Sequence, residues 1–238
     1  MAKSTLIDLL ARPWQWFFSL CVAIATTTTT AIAAVQAAPA AASQAPPAME
    51  RQKEIALALS SCPASLASKA AVYVLETTGY VKVRESQNGF TAIVQHVVPT
   101  SREPQCMDTE GARTFLPRML KVAELRAQGK TPQEIQNFVS DALKNGVFPT
   151  PQHPGVIYML STQNALTSTK GVIGAYPPHV MFYGTHLTNA DLGVDGSDLG
   201  PDGNPKGPTF VAGEGSPYAL IIVPVGAHTS EKATDKRD

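Results

Sequence analysis

The segment of residues 71–95, AVYVLETTGYVKVRESQNGFTAIVQ, carries the clearest strand pattern in the chain. Val81 and Val83 alternate with two basic side chains, which gives this stretch one apolar and one charged face. Such alternation is typical of a half-buried antiparallel strand. Gly79 separates it from an earlier strand-like run at residues 71–75.

An asparagine–glycine pair, Asn88 and Gly89, follows the alternating stretch. This dipeptide favours a two-residue hairpin turn because both residues tolerate positive φ. Residues 90–95 then resume a β-type composition. We therefore expect residues 71–95 to form an antiparallel three-stranded meander.

Residues 131–146 show the strongest helix signal. Thr131 supplies an N-cap hydroxyl, a proline follows at the first helical position, and Glu134 completes a capping box. The apolar side chains that follow recur at helical spacing, and Gly146 stands where a left-handed C-cap is expected. The members of this stripe are Ile135, Phe138, Val139, Ala142 and Leu143.

Two further helices are predicted on the N-terminal side. Residues 116–123 repeat apolar side chains at helical spacing and lead to Gly129, so this helix and the next are expected to form an αα-hairpin. Residues 50–59 consist of good helix formers and end shortly before Cys62.

Three short apolar runs between Gly- and Pro-rich turns predict buried strands in the C-terminal half, at residues 156–160, 180–183 and 219–225. Residues 192–208 hold five glycines, three prolines and three aspartates, which predicts a long loop. The fold class is therefore α+β: a three-stranded antiparallel meander, an αα-hairpin and further buried strands. We expect one domain over residues 49–228 and a charged, disordered tail at residues 229–238.

The first 38 residues have the layout of a secretory signal peptide. Lys3 and Arg12 lie before an apolar stretch at residues 14–34, and no charged residue follows until Glu50. Five consecutive threonines weaken the affinity of this stretch for the membrane core, which favours cleavage. An uncleaved inner-membrane anchor is the alternative. Residues 39–48, rich in Ala and Pro, are expected to be a tether.

The net charge limits the choice of partner. Removal of residues 1–38 would leave 200 residues with 17 basic and 18 acidic side chains. This near-neutral balance argues against binding to nucleic acid. We expect a small molecule or an envelope component as the partner, with membrane contact only through an uncleaved N-terminal segment.

Two cysteines, Cys62 and Cys106, follow the signal segment. Thiols oxidise in the compartments that exported proteins occupy, so we expect these two to form a disulfide. A pair of buried free thiols is the alternative.

Familiar catalytic and cofactor-binding motifs are missing from the sequence. It contains no G-x-S-x-G, H-E-x-x-H or C-x-x-C, no P-loop and no G-x-G-x-x-G. We predict no cofactor. The absence excludes only the families that use those motifs, because many sites are assembled from distant positions.

The best candidate pocket follows residue 178. If residues 179–183 form a strand, Val180 and Phe182 face the core and the alternate side chains face a pocket, to which the next loop contributes. Histidine in such a pocket is suited to proton transfer or ligation. The alternative is that these side chains are hydrogen-bonded structural residues. The pocket candidates are His179, Tyr183, His186, Asn189 and Asp191.

Two weaker candidates concern metal binding and nucleophilic catalysis. Asp195, Asp198 and Asp202, with Asp191, offer the oxygen ligands that calcium prefers, but their spacing is not that of an EF-hand, and aspartate in such segments usually serves turns. Ser161 follows a predicted strand as a nucleophile would, but the sequence pairs it with no base.

Eight segments of the chain resemble exported hypothetical proteins of soil-type bacteria, and together they extend over nearly all of the sequence after the signal. The resemblance implies bacterial export, and it assigns no activity, ligand or catalytic residue. The segments are residues 72–75, 79–84, 88–91, 124–130, 158–161, 177–183, 187–191 and 219–223.

These patterns favour a periplasmic or secreted protein that acts as a binding or structural module. One alternative is a metal-assisted or His-dependent hydrolase with its site around His179. Another is an envelope component held in place by an uncleaved N-terminus.

Overall fold

A mixed eight-stranded β-sheet with helices on both faces organises the chain in a computed structural model. The structure describes residues 46, 49–167, 173–175, 177–194 and 209–225, all within the compact unit Ala41–Asp238. The predicted signal segment and the C-terminal tail lie outside the described residues, as do most of the tether and of the loop at 192–208. The predicted α+β class is confirmed.

The helices are α1 (Arg51–Leu59), α2 (Ala64–Ala67), α3 (Thr109–Thr114), α4 (Leu116–Ala127) and α5 (Pro132–Lys144), with a short 3₁₀ helix at Ala190–Leu192. The strands are β1 (Ala71–Glu76), β2 (Gly79–Arg84), β3 (Thr91–Gln95), β4 (Glu103–Met107), β5 (Val156–Met159), β6 (Ala165–Thr167), β7 (Ile173–Ala175), β8 (His179–Tyr183), β9 (Phe210–Ala212) and β10 (Leu220–Pro224). The sheet order is β2-β1-β3-β4-β5-β8-β10-β9, and β6 pairs with β7 in a separate ribbon.

The predicted three-stranded meander is wrong. β1 lies between β2 and β3, so β2 and β3 do not pair, and β1 runs parallel to β3. The hairpin in this region is instead β1–β2, where Glu76 pairs with Gly79. The N-terminal and C-terminal strands therefore do not form separate parts, because all eight belong to one sheet.

The composition of the two strands explains this order. Residues 91–94 of β3 are all buried, as in a central strand covered on both faces, whereas β2 is exposed or half-buried after Gly79 and lies at the edge. Asn88 and Gly89 do form a turn: the Asn88 carboxamide accepts a hydrogen bond from the amide of Phe90, and Gly89 has a φ of +79°. That turn leads the chain past the end of β1 rather than back along β2.

Two apolar clusters cover the two faces of the sheet. The first lies between α1 and strands β1, β3 and β4, and its members include Leu57, Val72, Val94 and Cys106. The second lies under α3 and α4 and includes Ile93, Met107, Phe115, Met119, Ile157, Met181 and Ile222. Burial of both sets supplies the main stabilisation of the fold.

The strongest predicted helix is present as α5. The Thr131 hydroxyl accepts a hydrogen bond from the Glu134 amide, and the Glu134 carboxylate accepts one from the Thr131 amide, so the capping box is confirmed. Gly146 has a φ of +64° at the other end. Ile135 is buried, but Phe138 of the same stripe remains 37% exposed.

Cys62 and Cys106 form a disulfide, with 5.1 Å between their Cα atoms. The bond joins the segment after α1 to β4, in the middle of the sheet. Disulfides persist in oxidising compartments, so the pair favours a location outside the cytoplasm. No helix in the described part of the chain has the length and apolar character needed to cross a membrane.

Candidate functional site

A cavity of about 310 Å³ lies between the sheet and the first turns of α4. Side chains from β3, β4, β5, β8, β9 and β10 form its floor, and α4 with the residue before it supplies the opposite wall. Its apolar lining residues are Phe115, Met119, Ile157, Met159, Met181, Phe210, Ala212, Leu220 and Ile222. Its polar lining residues are Gln95, Glu103, Gln105, Arg118 and His179.

Strand and helix periodicity positions these side chains. In the five floor strands that contribute two lining residues, the two are separated by one residue, as with Ile157 and Met159 in β5, because alternate side chains point to the same face. Phe115, Arg118 and Met119 stand at i, i+3 and i+4, the spacing that places side chains on one helix face.

Three polar side chains from neighbouring strands meet on one part of the floor. Gln95 pairs with Glu103 across β3 and β4, and the carboxamide of Gln105 donates a 2.6 Å hydrogen bond to that of Gln95. Glu103 is only 6% exposed, and its Oε1 atom has no hydrogen-bond partner among the described residues. Burial raises the pKa of the Glu103 carboxyl above its ordinary value.

His179 begins β8 and lines the cavity beside this group of strands. Its Nδ1 atom lies 2.9 Å from the carbonyl oxygen of Pro177, so Nδ1 carries the proton and donates. Burial lowers the pKa of the ring, which keeps His179 neutral at pH 7.

The cationic lining residue is Arg118. Its guanidinium carbon lies 5.4 Å from the centre of the Tyr218 ring, a cation–π contact. Burial lowers the pKa of Arg118. The Tyr218 hydroxyl donates a 2.8 Å hydrogen bond to the carbonyl of Phe148, which fixes the ring on which Arg118 rests.

The structure separates the five predicted pocket residues. His179 and Met181 line the cavity, and Tyr183 shares their face of β8 but lies beyond the lining, on Asp108. The expectation that Phe182 packs into the core is wrong, since its side chain is 44% exposed on the opposite face.

The other three predicted pocket residues stabilise the turn that follows β8. His186 is exposed, with a φ of +64° and its Nδ1 atom 3.1 Å from the carbonyl of Gly215. Asn189 binds Glu214 and the backbone of Val211, and Asp191 accepts hydrogen bonds from Thr188. None of the three lines the cavity.

The calcium candidate lies mostly outside the described residues, whereas Ser161 has a structural role. Asp195, Asp198 and Asp202 lie outside those residues, within which no group of three His, Cys, Asp or Glu side chains could hold a metal. The buried Ser161 hydroxyl accepts a 2.9 Å hydrogen bond from Ser60 and another from the Gln163 amide, which is a turn-forming role.

Sequence reasoning missed Gln95, Glu103, Gln105 and Arg118. β4 contains Pro104, which argues against a central strand, so the alternation of Glu103, Gln105 and Met107 was not recognised. Arg118 lies between apolar residues of α4. Arginine side chains usually face solvent, so the residue type did not predict that this one lines a cavity. Its spacing from Phe115 and Met119 was the available signal.

No family model matches the chain, and neither does any curated protein or solved structure. What the site can do must therefore be judged from its own side chains. They offer an apolar chamber, one cation and several neutral hydrogen-bonding groups, and the described lining contains no Ser, Thr or Cys nucleophile.

Proposed function

We propose that this protein is exported and binds a small amphipathic molecule in the cavity between the sheet and α4. The observation that carries the proposal is the mixed lining: among the described residues, nine apolar side chains line the chamber and five polar ones converge on it. Ligand sites combine apolar walls with a few placed polar groups in this way.

The size of the cavity limits the ligand. Ligand pockets commonly have volumes of about 300–1,000 Å³, so a chamber of about 310 Å³ suits a small molecule. Such a molecule would bury its apolar part against Met181 and Ile222, which contact it from adjacent strands.

The buried Glu103 supports binding over a purely structural role. A polar group in an apolar interior destabilises the fold unless it forms hydrogen bonds, and Oε1 of Glu103 forms none with the described residues. This buried oxygen is therefore available to a polar atom of the ligand.

The disulfide and the N-terminal pattern support export to the periplasm or the medium. Retention through residues 14–34 is the alternative, with an envelope component as the partner. The mass of the mature protein purified from a bacterial host separates the two, because cleavage near residue 38 removes the apolar stretch.

Binding is tested by calorimetry with two matched pairs of probes: octanoate and 1-octanol, and 3-phenylpropionate and 3-phenylpropan-1-ol. We expect at least one member to bind with 1:1 stoichiometry. Leu220→Trp should fill the cavity and abolish binding. Val223→Trp, on the opposite face of β10, is the matched control and should bind as wild type does.

Two results would contradict the binding proposal. One is that no probe binds the wild-type protein. The other is that the Leu220→Trp and Val223→Trp variants, both folded by circular dichroism, bind equally well.

A His-dependent hydrolase is the second candidate, and one observation favours it. Burial raises the pKa of Glu103 and lowers that of His179, which places an acid and a base in the same cavity. Hydrolysis of p-nitrophenyl acetate that is lost in His179→Gln, with 1-octanol still bound, would establish this activity.

A further inference from the structure

Arg118 differs from three other arginines of the described chain, whose guanidinium groups are bound to protein oxygens. It lines the cavity and stacks on Tyr218, but it forms no hydrogen bond or ion pair with any described residue. Three other arginines are bound to protein oxygens: Arg84 to the carbonyls of Ala67 and Ala70, Arg113 to Glu110, and Arg126 to the carbonyls of His96 and Val97. The five N–H donors of Arg118 are therefore not used by the described part of the chain.

No described lining residue forms an ion pair with Arg118. Glu103 is the one carboxyl group among the described lining residues, and it forms no ion pair with Arg118. Burial also favours the neutral form of Glu103, and His179 is neutral at pH 7. The described lining thus holds one guanidinium that forms no ion pair with a described residue.

We propose that Arg118 binds the carboxylate of the ligand, which makes the preferred ligand an apolar monocarboxylate. This inference rests on the proposed function. A guanidinium matches a carboxylate with two parallel N–H···O bonds, and such charge-assisted pairs are stronger than neutral hydrogen bonds. The single cation in the described lining favours a singly charged head group over a phosphate, which usually meets several donors or cations.

The placement of the polar groups gives the ligand an orientation. Arg118 rests on Tyr218, just before β10, whereas Glu103 and Gln105 belong to β4. Two strands, β5 and β8, lie between β4 and β10, so these polar groups belong to strands about 14 Å apart. The carboxylate would lie on the β10 side with the apolar part over Met181, which leaves Glu103 and Gln105 on the β4 side for a second, neutral polar group of the ligand.

The experiment compares each carboxylate with its alcohol in wild type, Arg118→Met and Arg118→Lys. Lys121→Met is the matched control, since it removes a positive charge from the same helix outside the cavity. We expect octanoate and 3-phenylpropionate to bind wild type about tenfold or more tightly than the alcohols, from the strength of charge-assisted bonds. Arg118→Met should lose this preference and still bind the alcohols, and Arg118→Lys should retain part of it.

The possible failures are distinguishable. If carboxylate and alcohol bind wild type equally, or if Arg118→Met keeps the preference, Arg118 does not recognise the head group, although the cavity still binds ligands. A preference lost equally in Lys121→Met would indicate general electrostatic attraction and would also overturn the assignment. If no probe binds, the proposed function and this inference both fail.

Discussion

The hydroxyl of Tyr183 donates a 2.6 Å hydrogen bond to Oδ1 of Asp108, which lies 75 residues earlier in the chain. Asp108 is the N-cap of α3, and its carboxylate also accepts hydrogen bonds from the amides of Gly111 and Val156, both at 2.8 Å. One carboxylate therefore joins β8, α3 and β5. Burial, and to a smaller extent the hydrogen bond to Asp108, raises the pKa of Tyr183, so its hydroxyl remains a donor.

Tyr183→Phe should lower the free energy of unfolding by roughly 1–2 kcal/mol, because Asp108 loses one hydrogen bond while its two amide donors remain. Octanoate affinity should not change, because Tyr183 does not line the cavity. Urea unfolding and calorimetry measure the two quantities. A folded variant with markedly weaker binding would show that Tyr183 belongs to the site after all.

Gly155→Ala should destabilise the protein by about 1–3 kcal/mol, as overpacking in a buried site does. A Cβ atom at this position would overlap the Tyr183 ring and Oδ2 of Asp108. Gly146→Ala offers a comparison without steric overlap, since no atom lies within 4 Å of the added Cβ, and it should lose only the roughly 1 kcal/mol that a left-handed backbone costs a non-glycine residue. If Gly155→Ala proved as stable as wild type in urea unfolding, close packing at this junction would be disproved.

Stability should decrease as the pH falls from 6.5 towards 4 because of His96. Burial, with Arg126 and Arg102 nearby, lowers the pKa of His96 to about 4. The unfolded chain takes up a proton near pH 6.5 while the folded chain does not, so folding loses about 3 kcal/mol by pH 4. In chemical unfolding at several pH values, His96→Gln should lose less stability than wild type over this range. Parallel pH profiles would rule out His96 as the cause.

Glu103→Gln should raise the melting temperature at pH 7 and leave it nearly unchanged at pH 4. Because the pKa of Glu103 is raised in the folded state, stability is lost as the pH rises above the ordinary value of 4.5. An amide avoids that loss, and the expected gain is roughly 1 kcal/mol, the scale of one buried hydrogen-bonding group. A variant that is less stable at pH 7 would mean that the Glu103 carboxylate is stabilised in the folded protein.

Loss of the Cys62–Cys106 bond should lower stability by up to about 4 kcal/mol, from the entropy of closing a loop between residues separated by 44 positions. The double variant Cys62→Ala/Cys106→Ala and the reduced wild-type protein should behave alike in urea unfolding. Thiol titration of the denatured protein provides the check. Two reactive thiols detected without reductant would show that the disulfide does not form.

Local patterns were sufficient where neighbouring residues determine the structure. The capping box of Thr131 and Glu134 depends on residues three apart, and the alternation of β8 follows from strand geometry, so both were predictable. The turn at Asn88 was also predictable, but the strand that pairs with the segment after the turn was not. A turn fixes the local backbone, whereas the partner of the next strand depends on what covers that strand on both faces.

The amino-acid sequence by itself determined the fold class, the helix that begins at Thr131, the pairing of the two cysteines and the face of β8 that carries His179. Only the tertiary structure decided that β1 separates β2 from β3, and that Glu103 and Arg118 line one cavity. The physical reason is that strand order and the burial of a polar side chain depend on contacts between distant segments, and no periodicity within a single segment encodes those contacts.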